Sequence, residues 1–296
     1  MGIPILLDTD IGTDVDDAFA LVMAVKESRL DLLGVTTVYC DVDLRARMAR
    51  KILNILKRSQ IPVAAGSSTP LYDGKGSYWG GWEGKRLLDK NEVVSYLEQG
   101  AVGFMRDSIL ASYQDVTLVG IGPLTNIAIL IRDHPEVRPQ IGEIICMAGT
   151  LKPGDEEWNV QCDPEAAKII FTSGLPLTLG TRHFVNQPLL RQQDRKLLAE
   201  SEEPINQVLV GLFDEFLSHK TRNYSPMYDP VTLSMAFTNA YLPSETQHFT
   251  IRDDKHIIHL VPSSINQEGA VAINVPQAVH PEAFIKYLID LLLSND

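Results

Sequence analysis

The sequence predicts a doubly wound α/β fold: a mostly parallel sheet covered by helices on both faces, built as one domain over residues 1–296. Three observations carry that expectation. Short β-rich runs that are apolar on both faces alternate with helical stretches through the first two thirds of the chain, as strands buried between two helical layers must. No Pro- or Ser-rich linker, internal repeat or low-complexity tract divides the chain. An apolar content of 45% is ample for one large core.

Residues 3–7 read as a buried strand, and a helical pattern through Ala18, Leu21, Val22 and Val25 follows after a short acidic turn. Strands are expected at 32–39, 61–65, 116–121, 143–148 and 176–179, with helices at 44–57, 93–112, 126–132 and 164–171 between them. The last third departs from this alternation. Residues 205–220 and 230–237 read as additional helices, 247–252 and 256–261 as a small β-hairpin turning at Asp253-Asp254, 270–275 as a strand and 281–293 as a final helix. Two long loops, 66–89 and 219–228, carry Tyr72, Tyr78, Trp79, Trp82, Tyr224 and Tyr228, which suits a lid over a flat ligand.

A net charge of −12, from 26 basic and 38 acidic residues, argues against a nucleic-acid polymer or an anionic membrane as partner. No apolar run reaches membrane-spanning length, and the chain starts directly with a strand, so a cytoplasmic protein is expected. Gly2 is followed by Leu6 where a myristoylation site needs Ser or Thr. Cys40, Cys146 and Cys162, an odd number at unrelated spacings, read as free thiols rather than as a disulfide frame or a zinc site.

The chemistry concentrates between the first strand and the first helix. Asp8, Asp10, Asp14, Asp16 and Asp17 crowd one turn, where they repel one another and where desolvation would raise their pKa values unless a cation sits among them. Oxygen ligands select a hard cation, Ca²⁺ or Mg²⁺. Helix capping accounts for one or two of these acids and leaves the rest unexplained. An EF-hand loop fails because its twelfth position is Phe19. A haloacid-dehalogenase-like phosphatase, with Asp8 phosphorylated, is the competing enzyme class: Asp8-Thr9-Asp10 followed by Gly12-Thr13 is similar to its nucleophile loop, and Lys152 to Asp155 loosely imitates its distal elements.

Five segments, in order, resemble the calcium-dependent nucleoside hydrolases of the inosine-uridine-preferring superfamily: Asp8-Thr-Asp10-x-Gly12 with Asp16-Asp17-Ala18; Gly34-Val-Thr-Thr-Val38; Gly122-Pro-Leu-Thr-Asn126; Glu157-Trp-Asn159 with Asp163-Pro-Glu-Ala-Ala167; and Asp229-Pro230. The resemblance implies hydrolysis of the N-glycosidic bond of a ribonucleoside, a homodimer or homotetramer, and a Ca²⁺ ion held by Asp10, Asp17, the carbonyl of Thr125 and Asp229. Asp10 would also take a proton from the attacking water. Asp16, Glu157 and Asn159 would hold the sugar hydroxyls, the last two sharing a face if extended, while Asp163 reads as a helix cap ahead of Pro164. Asp41, Trp82 and Tyr228 would also contact substrate. The chain departs from the family pattern in three places: Thr13-Asp14-Val15 enlarge the acidic turn, making Asp14 a further possible ligand, Asp41 replaces a common Asn, and Trp82 and Tyr228 stand where histidines are usual. A ribose-binding relative with weakened catalysis is the remaining alternative.

Overall fold

A computed structural model describes residues 2–72, 76–89, 92–152 and 154–294. Within the predicted 66–89 loop, residues 73–75 lie outside this set, as does Pro153 of the phosphatase-like segment. The strands are β1 (Ile3–Thr9), β2 (Leu30–Thr37), β3 (Val63–Ala65), β4 (Val116–Gly120), β5 (Ile141–Met147), β6 (Leu177–Gly180), β7 (Leu189–Arg191), β8 (Tyr224–Pro226), β9 (Ser244–Asp254), β10 (Ile257–Pro262) and β11 (Val271–Pro276). Nine of them form one sheet in the order β10-β9-β11-β6-β5-β4-β1-β2-β3. From β11 to β3 every neighbouring pair is parallel, and β9 runs antiparallel to both β11 and β10.

The helices are α1 (Asp16–Lys26), α2 (Val42–Ile55), α3 (Ala101–Ala111), α4 (Thr125–Asp133), α5 (Trp158–Cys162), α6 (Pro164–Phe171), α7 (Arg182–Val185), α8 (Gln192–Ala199), α9 (Pro204–Ser218), α10 (Tyr228–Ser234) and α11 (Pro281–Leu293). Strand β1 shows why its sequence is a continuous apolar run. Ile5 and Leu7 enter a cluster with residues of α1, α2, α9 and α11, whereas Leu6, pointing the other way, enters a second cluster with residues of α3, α4 and α6. Because β1 lies between β2 and β4, the chain winds outward in both directions from it, giving the order 3-2-1-4-5-6. The carboxyl ends of β1 and β4 therefore flank the switch point where such sheets open a ligand crevice.

Three expectations need correction. The helix expected over 93–112 begins only at Ala101, after Gly100, because Leu97 instead bridges Ala64 beside β3 and its N–H donates to the Val63 carbonyl at 2.9 Å. The hairpin turns at Lys255-His256, whose φ values of 54° and 69° give the left-handed pair that a tight hairpin needs, while Asp253 accepts the His256 N–H at 2.8 Å. Its strands extend the main sheet. Short elements with little periodicity, α5, α7, α8 and the β7–β8 pair, were not foreseen.

Candidate active site

The acidic turn is built from below by neutral donors and one buried cation. Asp8, on β1, points into the protein, where its Oδ1 accepts from Thr36 Oγ1 at 2.6 Å and Asn126 Nδ2 at 2.8 Å; burial pushes its pKa up to about 7. Thr9 donates its hydroxyl to Asp17 and accepts the Ile11 N–H at 3.1 Å. Arg45 of α2 is fully buried beneath the turn. Its Nε donates to the Tyr39 carbonyl at 2.8 Å, Nη1 to the Asp10 and Ile11 carbonyls (2.9 Å for the latter), and Nη2 to Thr13 Oγ1 at 3.2 Å. Tyr39 and Cys40 turn the chain from β2 into α2 through left-handed backbone, φ 71° and 59°. Sequence reasoning missed Arg45. The available signal was its place four residues before Ala49 and seven before Ile52 on the buried stripe of α2.

Asp16 and Asp17 open α1, Asp229 lies in the first turn of α10, and all three are buried. Each offers a carboxylate oxygen within 4.8 Å of the others. The Asp229 N–H donates to Asp16 Oδ2 at 3.2 Å, fixing α10 against α1. Burial first, and the charges of neighbouring acids second (Asp14 on Asp16, Asp10 and Asp16 on Asp17, and Asp16, Asp17 and Asp10 on Asp229), raise Asp16 to about 7 and hold Asp17 and Asp229 well above the usual carboxylate range. Asp10 is raised by burial to about 6, against the pull of Arg45. Among the described residues no Lys or Arg forms an ion pair with Asp16, Asp17 or Asp229. A compact, all-oxygen donor set of this kind, without an ion pair to any of its three members, fits a hard divalent cation. The closest grouping contains Asp16 where the resemblance implied Asp10.

These acids floor a cavity of about 740 Å³ that Asp10 also lines. Glu157 and Asn159 form part of one wall, but not as an extended pair: Glu157 caps α5, accepting the N–H groups of Asn159 at 2.8 Å, Val160 at 3.0 Å and Gly149 at 3.2 Å, and Asn159 is helical. Burial raises Glu157 to about 7. Asn159 Nδ2 donates to the carbonyls of Met147, at the end of β5, at 3.0 Å and of Ile121, just past β4, at 3.2 Å. The mouth carries Tyr78, Trp158, Lys220 and Tyr228. Tyr78 meets Trp158 edge to face, ring centres 6.0 Å apart at 87°. Burial raises the Tyr228 hydroxyl above its ordinary range. Trp158 was overlooked although it stands between two residues singled out for the sugar.

The remaining candidates fall elsewhere. Asp163 caps α6 as expected, accepting the Ala166 N–H at 3.1 Å, and it also accepts from Thr125 Oγ1 at 2.6 Å and the Leu71 N–H at 2.7 Å. With its hydroxyl so engaged, Thr125 opens α4 as a buried residue. The cavity does not include Asp41, which is exposed and caps α2 by accepting the Leu44 N–H at 2.9 Å. Nor does it include Trp82, whose Nε1 donates to the Thr13 carbonyl at 3.0 Å and whose ring stacks on His219 at 4.4 Å. Asp14 lies at the mouth, its Oδ1 3.8 Å from Lys220 Nζ. Asp8, 2% exposed, has no access to a phosphate ester, and the phosphatase reading loses its nucleophile.

A family model described as "Inosine-uridine preferring nucleoside hydrolase" matches residues 5–286. The chain is 33% identical over 256 residues to the pyrimidine-specific ribonucleoside hydrolase RihA of Salmonella arizonae, covering 79% of each, and 31% identical over 250 residues to an Escherichia coli protein of the same name, again 79% of each. Among solved structures, an inosine-guanosine nucleoside hydrolase superposes with a TM-score of 0.85 at 21% identity over 98% of each chain. A purine-preferring ribonucleoside hydrolase from Gardnerella vaginalis gives 0.84 at 23% identity over the same shares. At such identities these two establish the shared fold.

Proposed function

The chain belongs to the inosine-uridine preferring nucleoside hydrolase family and splits the N-glycosidic bond of ribonucleosides into free base and ribose; on that premise we propose that it works with Ca²⁺, held by Asp10, Asp17, the Thr125 carbonyl and Asp229, and that Asp10 is the catalytic base. The observation that supports a bound cation is the buried grouping of Asp16, Asp17 and Asp229 at the floor of the cavity, which Asp10 also lines. Held by these residues, such an ion would supply Lewis acidity that helps to orient the ribose and to make the attacking water easier to deprotonate.

The chain's own residues do the rest. Asp10 accepts the proton of the water that adds to C1′, while the C1′–N bond breaks and its electron pair leaves with the base. The ribose passes through an oxocarbenium-like state whose positive charge the surrounding carboxylates stabilise. Asp16, Glu157 and Asn159 hold the sugar hydroxyls in register, which turns a bimolecular attack into a positioned one. Tyr228 offers a hydrogen bond to the base at the mouth. The three free cysteines support a reducing, cytoplasmic setting.

Reducing-sugar release from uridine and inosine tests this reading, with metal content measured on the same sample. Chelator-treated protein should lose turnover and regain it with added Ca²⁺, and Asp229→Ala should lose metal and turnover together. A metal-free sample that keeps full activity would overturn the metal role.

A further inference from the structure

The departing nucleobase carries away an electron pair, and both positions where the resemblance leads one to expect histidine hold other residues. Trp82 is bound to the Thr13 carbonyl and covered by His219, and Tyr228 is a neutral phenol whose ionisation burial disfavours. His183 is exposed and packs against Phe184, and His219 is held by Glu215 at 3.2 Å. Yet the cavity is not without positive charge. Arg182 and Lys220 line it, and they are held very differently. Arg182 Nη1 donates to Asp155 Oδ1 at 2.8 Å and to the Glu156 carbonyl at 2.7 Å. Lys220 Nζ stands 3.8 Å from Asp14 Oδ1, and it lies 5.3 Å from the Trp82 ring centre and 4.8 Å from that of Phe216. Its side chain is 27% exposed. Arg222 places a second positive charge near Asp14 and Tyr228.

Resting on the hydrolase reading above, we propose that Lys220, held at the cavity mouth by Asp14 and by the faces of Trp82 and Phe216, is the cation that stabilises the leaving nucleobase, and that Asp14 is its positioning residue. This gives the enlarged turn a purpose, because Asp14 there steers a lysine contributed from the segment between α9 and β8. As the C1′–N bond breaks, its electrons move to the ring nitrogen of the base, and the Lys220 ammonium donates a hydrogen bond to an acceptor on that ring. Water adds its oxygen to C1′ and gives its proton to Asp10; the base leaves as a hydrogen-bonded anion and takes a proton from solvent. No other reactant is needed. A charged donor aimed at developing negative charge acts mainly in the transition state, so its loss falls on kcat rather than on KM.

The test uses the full chain loaded with Ca²⁺ and three ribosides, uridine, inosine and p-nitrophenyl riboside, the last of which leaves as a stable anion without help. Lys220→Met should lower kcat for uridine and inosine by about 10²-fold and for p-nitrophenyl riboside by less than about threefold, with KM little changed. Lys220→Arg should restore much of the loss, and Asp14→Asn should show the same selectivity at smaller amplitude. Equal losses on all three ribosides, or undiminished nucleoside turnover in Lys220→Met, would overturn the role of Lys220 alone. A parent protein that releases ribose from none of them would instead overturn the hydrolase reading and this inference with it.

Discussion

The floor and the mouth of the cavity are made of different materials. The floor consists of carboxylates set just past β1 and at the starts of α1 and α10: Asp16, Asp17 and Asp229 are buried and Asp10 half-buried, with Asp17 held by Thr9 and Asp16 by the Asp229 N–H. The mouth consists of aromatic rings and a lysine, with Tyr78 and Lys220 on connecting segments and Trp158 and Tyr228 at the starts of the short helices α5 and α10; Tyr78 is 42% exposed and Trp158 is 44% exposed. Secondary-structure ends next to a switch point hold side chains to small tolerances, which charge stabilisation and proton transfer require, whereas loops change readily and suit recognition of a variable base. In the reading proposed above, the sugar and the attacking water belong to the floor, and the base and its departure to the mouth.

The largest effect that would break this division is at Asp10. Asp10→Asn should reduce kcat by roughly 10²–10⁴ with much smaller change in KM, because the amide retains a ligand oxygen but accepts no proton. Asp8→Asn, beneath the floor, should cost far less activity; a dead Asp8→Asn with an active Asp10→Asn would invert the assignment.

A second test reads the floor through stability. Asp8, Asp16 and Glu157 have folded pKa values raised to about 7 by burial, above the ordinary carboxylate range of about 4. Groups raised in the folded state contribute stability that is present below about pH 4 and lost as pH rises through about 7. Glu27, lowered to about 2 chiefly by its hydrogen bonds from Arg29, is ionised throughout that upper range and adds no slope there. Chelator-treated protein should therefore unfold at a lower urea concentration at about pH 7.5 than at about pH 5, and Ca²⁺ should narrow the gap. A higher midpoint at the alkaline end would show that the floor acids are already neutralised by something else.

The smallest expected effect lies at the mouth. Tyr78→Ala should raise KM for nucleosides by roughly 3- to 10-fold, the worth of one aromatic contact, and leave kcat within about threefold. A large fall in kcat with KM unchanged in Tyr78→Ala would give this ring a part in bond cleavage rather than in binding alone.

What could be read in the sequence follows the same line. Strand β1, its acids and the pairing with α1 were legible because a continuous apolar run ending in carboxylates has few physical solutions. Helices α6 and α11 were placed at their observed limits because Pro at the first helical position marks a start. Asp163 was legible as a cap for the same reason. Arg45 was not, since an arginine on an amphipathic helix reads as a solvated face until the carbonyls it meets are in place. Trp82 and Asp41 were drawn into the site by position along the chain, yet one is consumed by Thr13 and His219 and the other by a helix start. Spacing cannot reveal which partner reaches an indole or a carboxylate first.

Asp16 and Asp229 stand 213 positions apart in the chain. A pocket completed over such a separation closes late, since contacts of that span wait on loop closure. Until α10 docks against α1, Asp16 and Asp17 lack their third companion; docking seals the three together. In the calcium-bound form proposed above, ion uptake thus serves as a seal of completion, withheld from a nascent or unfinished chain and granted once its last third has been wrapped back onto its first helix.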